Sequence, residues 1–192
     1  MPSVAYSQKP NWSSLYETAE VQDGYFTTAQ AANAGYSPQL LAKYLKNQRV
    51  VRERRGIYRL AHFPAGQRED LVVFWLWSEQ LGVFSHETAL SLHQLSDVLP
   101  STAEMTVPVA WQARRLRVPE GLSLNFADIP VSARKWKGPV PVTSPARTLL
   151  DCAEVHLSPE LLSQAVDEGL ARGLFSRDEI APVLTHLRPY RT

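Results

Sequence analysis

The chain has 192 residues, 44% hydrophobic and 20% charged, with a net charge of +1; this suffices for a buried core without disulfides and excludes a disordered chain. The longest apolar run, Leu71 to Trp77, is seven residues, far short of the roughly 20 of a membrane span. The single cysteine, Cys152, excludes an internal disulfide and a cysteine-based metal site, and the opening Met-Pro-Ser-Val lacks the apolar stretch of a secretory leader, so a cytoplasmic protein is expected.

The small net charge hides an asymmetry. Residues 1–63 carry eight basic and four acidic side chains, whereas the remainder carries 12 and 15. Within 43–59 seven basic residues stand against one acidic residue, Glu53. Such clustering suits either a polyanion-binding surface or a solvated charged face.

In chain order, Ser14-Leu15-Tyr16-Glu17 fits a capping box and predicts a helix over about 15–22, stopped by Asp23-Gly24. Thr27-Thr28-Ala29-Gln30 is a second capping box. It opens a short helix from Ala29 to Ala34, with Gly35 in the C-cap role and alanines small enough for close packing. Ser37-Pro38 supplies an N-cap followed by proline at the first helical position, and that helix runs to about Asn47. Two helices joined by a tight glycine-containing turn form a helix-turn-helix pattern. On a wheel of about 100° per residue, Leu40, Leu41, Tyr44 and Leu45 share one side of the second helix, and Gln39, Lys43 and Lys46 the other. This is what a major-groove reading helix requires, although any amphipathic surface helix shares the pattern. Val50 to Arg54, the Arg55-Gly56 turn and Ile57 to Leu60 read as a short hairpin placed as a wing, whose arginines would meet the phosphate backbone or the minor groove.

His62 to Gln67 is a turn-rich boundary. A helix apolar on all sides is expected from near Glu69 to Gly82, a buried strand being the alternative. Ser85 can cap a helix from His86 to about Leu95. Strands are expected at Glu104 to Val109, Leu122 to Phe126 and Val140 to Thr143. Helices are expected from Ser144-Pro145 to about Glu154, from Ser158-Pro159 to about Arg172, and from Ser176 to about His186. The fold class is therefore α+β: a winged helix-turn-helix at 1–63, then a mixed α/β domain with a small sheet and C-terminal helices at 64–192.

Five segments carry a family resemblance. Phe26-Thr27-Thr28-Ala29-Gln30-Ala31, Gly35-Tyr36-Ser37 and Arg55-Gly56-Ile57-Tyr58-Arg59 resemble the N-terminal domain of the AbiEi family of type IV antitoxins. Ser85 to His93 resembles that family's "SHxTALxLHG" segment, with Gln94 where glycine is usual, and Thr143 to Asp151 its "TSPxRTLLD" segment. The resemblance implies a winged helix that binds the operon's promoter, and a downstream domain associated with neutralising a nucleotidyltransferase-like toxin.

Enzyme chemistry finds little support. No G-x-x-x-x-G-K-[ST] loop and no Gly-x-Ser-x-Gly elbow occur. A metal nuclease would need an Asp and a Glu-x-Lys on adjacent strands, and the strands carry Glu104 and Asp128 without a Glu-x-Lys. His86 and His93 do not have the His-x-x-x-His spacing of a helical metal pair. Arg147 and Asp151, four apart on a helix, suit a structural ion pair, and Cys152 beside Asp151 is a poor thiolate.

The reading is a non-enzymatic regulator without cofactor or metal. Its expected partners are double-stranded DNA at its own promoter and a cognate nucleotidyltransferase-like toxin, with no membrane role. The expected DNA-binding residues are Thr28, Ser37, Gln39, Lys43, Lys46, Arg52, Arg54, Arg55 and Tyr58, with Gln39 suited to pairing with adenine. Arg114, Arg115 and Arg117, and Arg134, Lys135 and Lys137 around Trp136, could extend the footprint, meet an acidic partner or lie in exposed loops. A protein-interaction module without DNA binding, a stand-alone winged-helix regulator and a nuclease accessory protein are the alternatives.

Overall fold

The start signals written in the sequence set the first elements of a computed structural model that describes residues 9–190. The opening Met-Pro-Ser-Val stretch lies outside the described residues. The chain divides into two compact units, one ending at Gln80 and the other beginning at Leu81.

In the first unit α1 spans Trp12–Glu20. Its cap is Asn11, whose side chain accepts from the Ser14 amide at 3.1 Å, so the expected capping box at Ser14 is not the start. With the cap three residues earlier, the Ser14 amide is an orphan donor satisfied by Asn11, and Trp12 at the first helical position stacks on Tyr44, with ring centroids 5.8 Å apart. A three-residue strand, β1 (Tyr25–Thr27), follows and was not expected. Then come α2 (Thr28–Asn33) and α3 (Pro38–Lys46). The Thr27–Gln30 capping box forms in both directions, and Ser37 caps α3 through the Leu40 amide at 3.2 Å. The hairpin is β2 (Val50–Arg54) and β3 (Ile57–Leu60), and the antiparallel sheet runs β1-β3-β2. Leu15, Ala19, Phe26, Ala31, Tyr36, Leu41, Val50 and Leu60 form the core.

Gly24 sits at φ +85°, where a Cβ would lie 2.5 Å from the Phe63 ring. Only glycine allows the chain to turn so closely under that side chain. The apolar run is helical, as α4 (Glu69–Trp77), with Val72 to Leu76 buried. It packs on β1 and β3.

The second unit is built on a mixed five-stranded sheet. Its strands are β4 (Val83–Phe84), β5 (Ala103–Val107), β6 (Leu122–Phe126), β7 (Arg134–Lys137) and β8 (Val140–Thr143), in the order β6-β5-β4-β8-β7. Pairs β4–β8 and β5–β6 are parallel; β4–β5 and β7–β8 are antiparallel. Strand β5 ends before Pro108, which is followed by a 3-10 turn over Val109–Ala113 rather than two more strand residues.

The helices are α5 (His86–His93), α6 (Pro145–Glu154), α7 (Pro159–Ala171) and α8 (Ala181–Leu187). Leu90, Leu149, Cys152, Leu162, Ile180 and Leu187 lie at the centre of their core. Helix α8 starts later than expected, because Ser176 and Glu179 close a separate capped turn. Ser85 stands at the start of α5 but makes no cap bond. Its hydroxyl accepts from Thr106 at 2.7 Å and lies 2.9 Å from His86 Nδ1.

The two family-like segments meet inside this unit. His93 Nε2–H donates to the Thr143 carbonyl at 2.7 Å, and the Thr143 and Thr148 hydroxyls are 2.7 Å apart. Burial holds the His93 imidazole below its ordinary range, and Lys137 and Arg172 act in the same direction; the bond to Thr143 opposes them. A folded-state imidazole that resists protonation gives stability that is present above its unfolded pKa and lost as pH falls through and below it. Unfolding free energy should therefore decline between pH 7.5 and pH 5.5. The limit is about 1.4 kcal/mol per unit of difference between the folded and unfolded values. Urea unfolding of His93→Gln, which keeps a donor but cannot titrate, should show a flatter pH profile. An unchanged profile would remove His93 as the cause.

Candidate nucleic-acid interface

The candidate interface comprises α2, the Ala34 to Ser37 turn, α3 and the β2–β3 wing. Helix α3 buries Leu41 and half-buries Leu40, Tyr44 and Leu45, leaving Gln39, Lys43 and Lys46 exposed along one face. This is the division that the wheel predicts. Ala42 is exposed between them, and its small side chain leaves room for a partner's surface.

Six of the seven basic residues of 43–59 are exposed: Lys43, Lys46, Arg49, Arg52, Arg54 and Arg55. The seventh, Arg59, turns inward. It pairs with Glu69 at 3.0 Å, donates to the Phe63 carbonyl at 2.9 Å and lies over the Tyr25 ring. The guanidinium of Arg49 rests over Tyr44, 5.3 Å from the ring centroid, and that of Arg54 over Phe74 at 5.8 Å. The ring contacts restrain both side chains while leaving them exposed. Lys43, Lys46, Arg52 and Arg55 form no ion pair among the described residues. Their charges are therefore not paired locally, and from α3 to the wing the exposed cations outnumber the one exposed carboxylate, Glu53.

Sequence reasoning grouped Arg49 with the basic cluster but not with the candidate interface; it is exposed just after α3 and adds a cation to the same surface segment. The remaining expected residues have structural tasks. The Ser37 hydroxyl is used as the α3 cap. Tyr58 stacks on Phe26, with centroids 5.8 Å apart, and packs on the core. Thr28 is exposed, but its amide donates to the Gly56 carbonyl at 2.9 Å and its hydroxyl to the same oxygen at 3.3 Å. Gly56 has φ +82°, the left-handed conformation that so short a hairpin requires.

The other two basic clusters belong to the second unit. Arg115 and Arg117 are exposed, and Arg114 lies 4.3 Å from the Trp111 ring centroid. Arg134 to Lys137 is not a loop but the edge strand β7, antiparallel to β8, and the Arg134 guanidinium donates twice to the Ile129 carbonyl. Cations along an exposed edge also keep it from pairing with another chain. Burial pushes the Cys152 thiol up, which leaves it a packing residue. Among the described residues no helix is long and apolar enough to cross a membrane.

Three helices with a three-stranded sheet, a capped third helix and a cationic hairpin define a winged helix-turn-helix protein. Residues 14–61 match a family model described as "Transcriptional regulator, AbiEi antitoxin". That stretch takes in most of α1 and all of the helix-turn-helix and wing, so the likeness to that family lies in the first unit. Among solved structures, the RV2827C protein from Mycobacterium tuberculosis is similar in fold. It has a TM-score of 0.54 and 15% identity, covering 93% of this chain and 72% of that one. Curated protein sequences give no match.

Proposed function

We propose that this protein is a cytoplasmic, non-enzymatic transcriptional regulator and the antitoxin of a type IV toxin–antitoxin pair. Its winged helix binds the operon's own promoter and represses it. Its second unit neutralises a nucleotidyltransferase-like toxin. The observation that carries the reading is the row of unpaired cations, Lys43, Lys46, Arg52 and Arg55, on the segment that matches the regulator family. Affinity comes from these residues and Arg54 at the phosphates, and sequence choice from Gln39 and Lys43 near the start of α3.

Five phosphate contacts give a slope of log K against log salt of about −4 to −5, at roughly 0.9 per contact. Fluorescence anisotropy with the chain's upstream DNA at several salt concentrations measures it. Absence of binding at low salt would defeat the regulator reading. The antitoxin half is tested separately, by co-expressing the chain with the product of the neighbouring reading frame and scoring growth. A neighbour that is not a nucleotidyltransferase, or whose toxicity persists, would leave a regulator without the second task.

A further inference from the structure

We infer that Thr28 positions the wing rather than touching nucleic acid: its amide and hydroxyl hold the Gly56 carbonyl and so fix where Arg55 is presented. This rests on the DNA-binding reading above and refines it. The first four amides of any helix lack an intrahelical acceptor, and in a winged helix the amide at the start of α2 is a natural ligand for a phosphate. Here that donor is already used. The Thr28 amide lies 2.9 Å from the Gly56 oxygen, and the Thr28 hydroxyl, which has one proton to give, lies 3.3 Å from it.

The contact joins residues 28 apart in sequence, at the point where the β1–β3 ladder ends in the Thr27–Ile57 pair. The start of α2 and the tip of the wing are therefore tied together. Arg55, exposed and without an ion pair, is the residue immediately before the held carbonyl.

The test compares full-length variants by anisotropy on the upstream DNA duplex. Thr28 is the first residue of α2, a position that tolerates proline, and Thr27 has φ −93° and ψ 163°, as a residue before proline prefers. Thr28→Pro thus removes both donors while leaving the helix able to start. The expected result is about tenfold weaker binding at fixed salt and a slope shallower by about 0.9, the value of one phosphate contact. Thr28→Ser should restore wild-type binding and slope. Arg55→Ala should lose the same slope, and adding Thr28→Pro to it should cost nothing further, because the two act through one contact.

Additive losses in the double variant would overturn the inference, since Thr28 would then act on the DNA by itself. So would wild-type affinity in Thr28→Pro. If Thr28→Pro does not fold, Thr28→Val, which drops only the hydroxyl, takes its place. It is expected to bind about threefold more weakly and to be non-additive with Arg55→Ala, and wild-type affinity would again overturn the inference. A wild-type protein that fails to bind the duplex refutes the underlying DNA-binding reading, whereas a wild type that binds with variants unaffected refutes the positioning role alone.

Discussion

Alanine at Lys43, Arg52 and Arg55 together is expected to weaken binding to the upstream DNA by about 10²- to 10³-fold. Each lost charge-assisted contact is worth about 1–1.5 kcal/mol net. The salt slope should become shallower by nearly 3, at roughly 0.9 per contact. The melting temperature should hardly move, because the three side chains are exposed and carry no ion pair in the described structure; exposed substitutions of this kind stay within about 0.5 kcal/mol. Arg54 is left in place because its guanidinium lies over Phe74, so its loss would mix packing with binding. A triple variant with the wild-type slope would show that the cations are a solvated face.

Arg147→Ala should clearly destabilise the second unit. The Arg147 Nε donates to Asp151 Oδ1 at 2.6 Å, and the Asp151 carboxyl is almost wholly buried, its other oxygen having no hydrogen-bond partner among the described residues. Burial raises the Asp151 pKa, and Arg147 is the main influence that lowers it. Without the guanidinium a buried carboxylate stands uncompensated. Removing one member of a fully buried pair costs about 3–5 kcal/mol; with Arg147 partly exposed, the expected loss is about 2–3 kcal/mol.

Asp151→Asn should restore most of that loss in the Arg147→Ala background. The sign with pH follows from a folded-state pKa above the unfolded one: the destabilisation grows as pH rises from the ordinary carboxylate range through the raised value, and shrinks in acid. Urea unfolding at pH 5 and pH 7.5 separates the cases. Equal losses at both, with no rescue by Asp151→Asn, would mean that Arg147 acts only through its packing.

What could be read from the sequence was what is decided locally. Ser37-Pro38, Ser144-Pro145 and Ser158-Pro159 each start a helix where they stand, because cap and first residue are adjacent. The cationic face of α3 follows from helical periodicity alone. Strands β1, β4 and β7 were not legible. Three and two residues are too few to display a period in β1 and β4, and each pairs with strands distant in sequence; β7 pairs with the adjacent β8 but carries no apolar alternation. Arg-Lys-Trp-Lys looks like a loop since an edge strand can expose both faces. At the interface, the inward turn of Arg59 depends on Glu69, and the use of Thr28 on Gly56. Neither partner is within a helical turn, so no local pattern announces them.

The strand order β1-β3-β2 has a consequence for how the protein is made. The middle strand is the last of the three to be synthesised, and both neighbours depend on it for their ladder bonds. While the ribosome adds its roughly 5–20 residues per second, a nascent chain can carry the whole of α3 and still have no sheet. Only after Ile57 to Leu60 has cleared the exit tunnel can β1 and β2 find their shared partner, and the hairpin meet the start of α2. A product terminated before Ile57 would thus carry α3 with no sheet for it to stand beside.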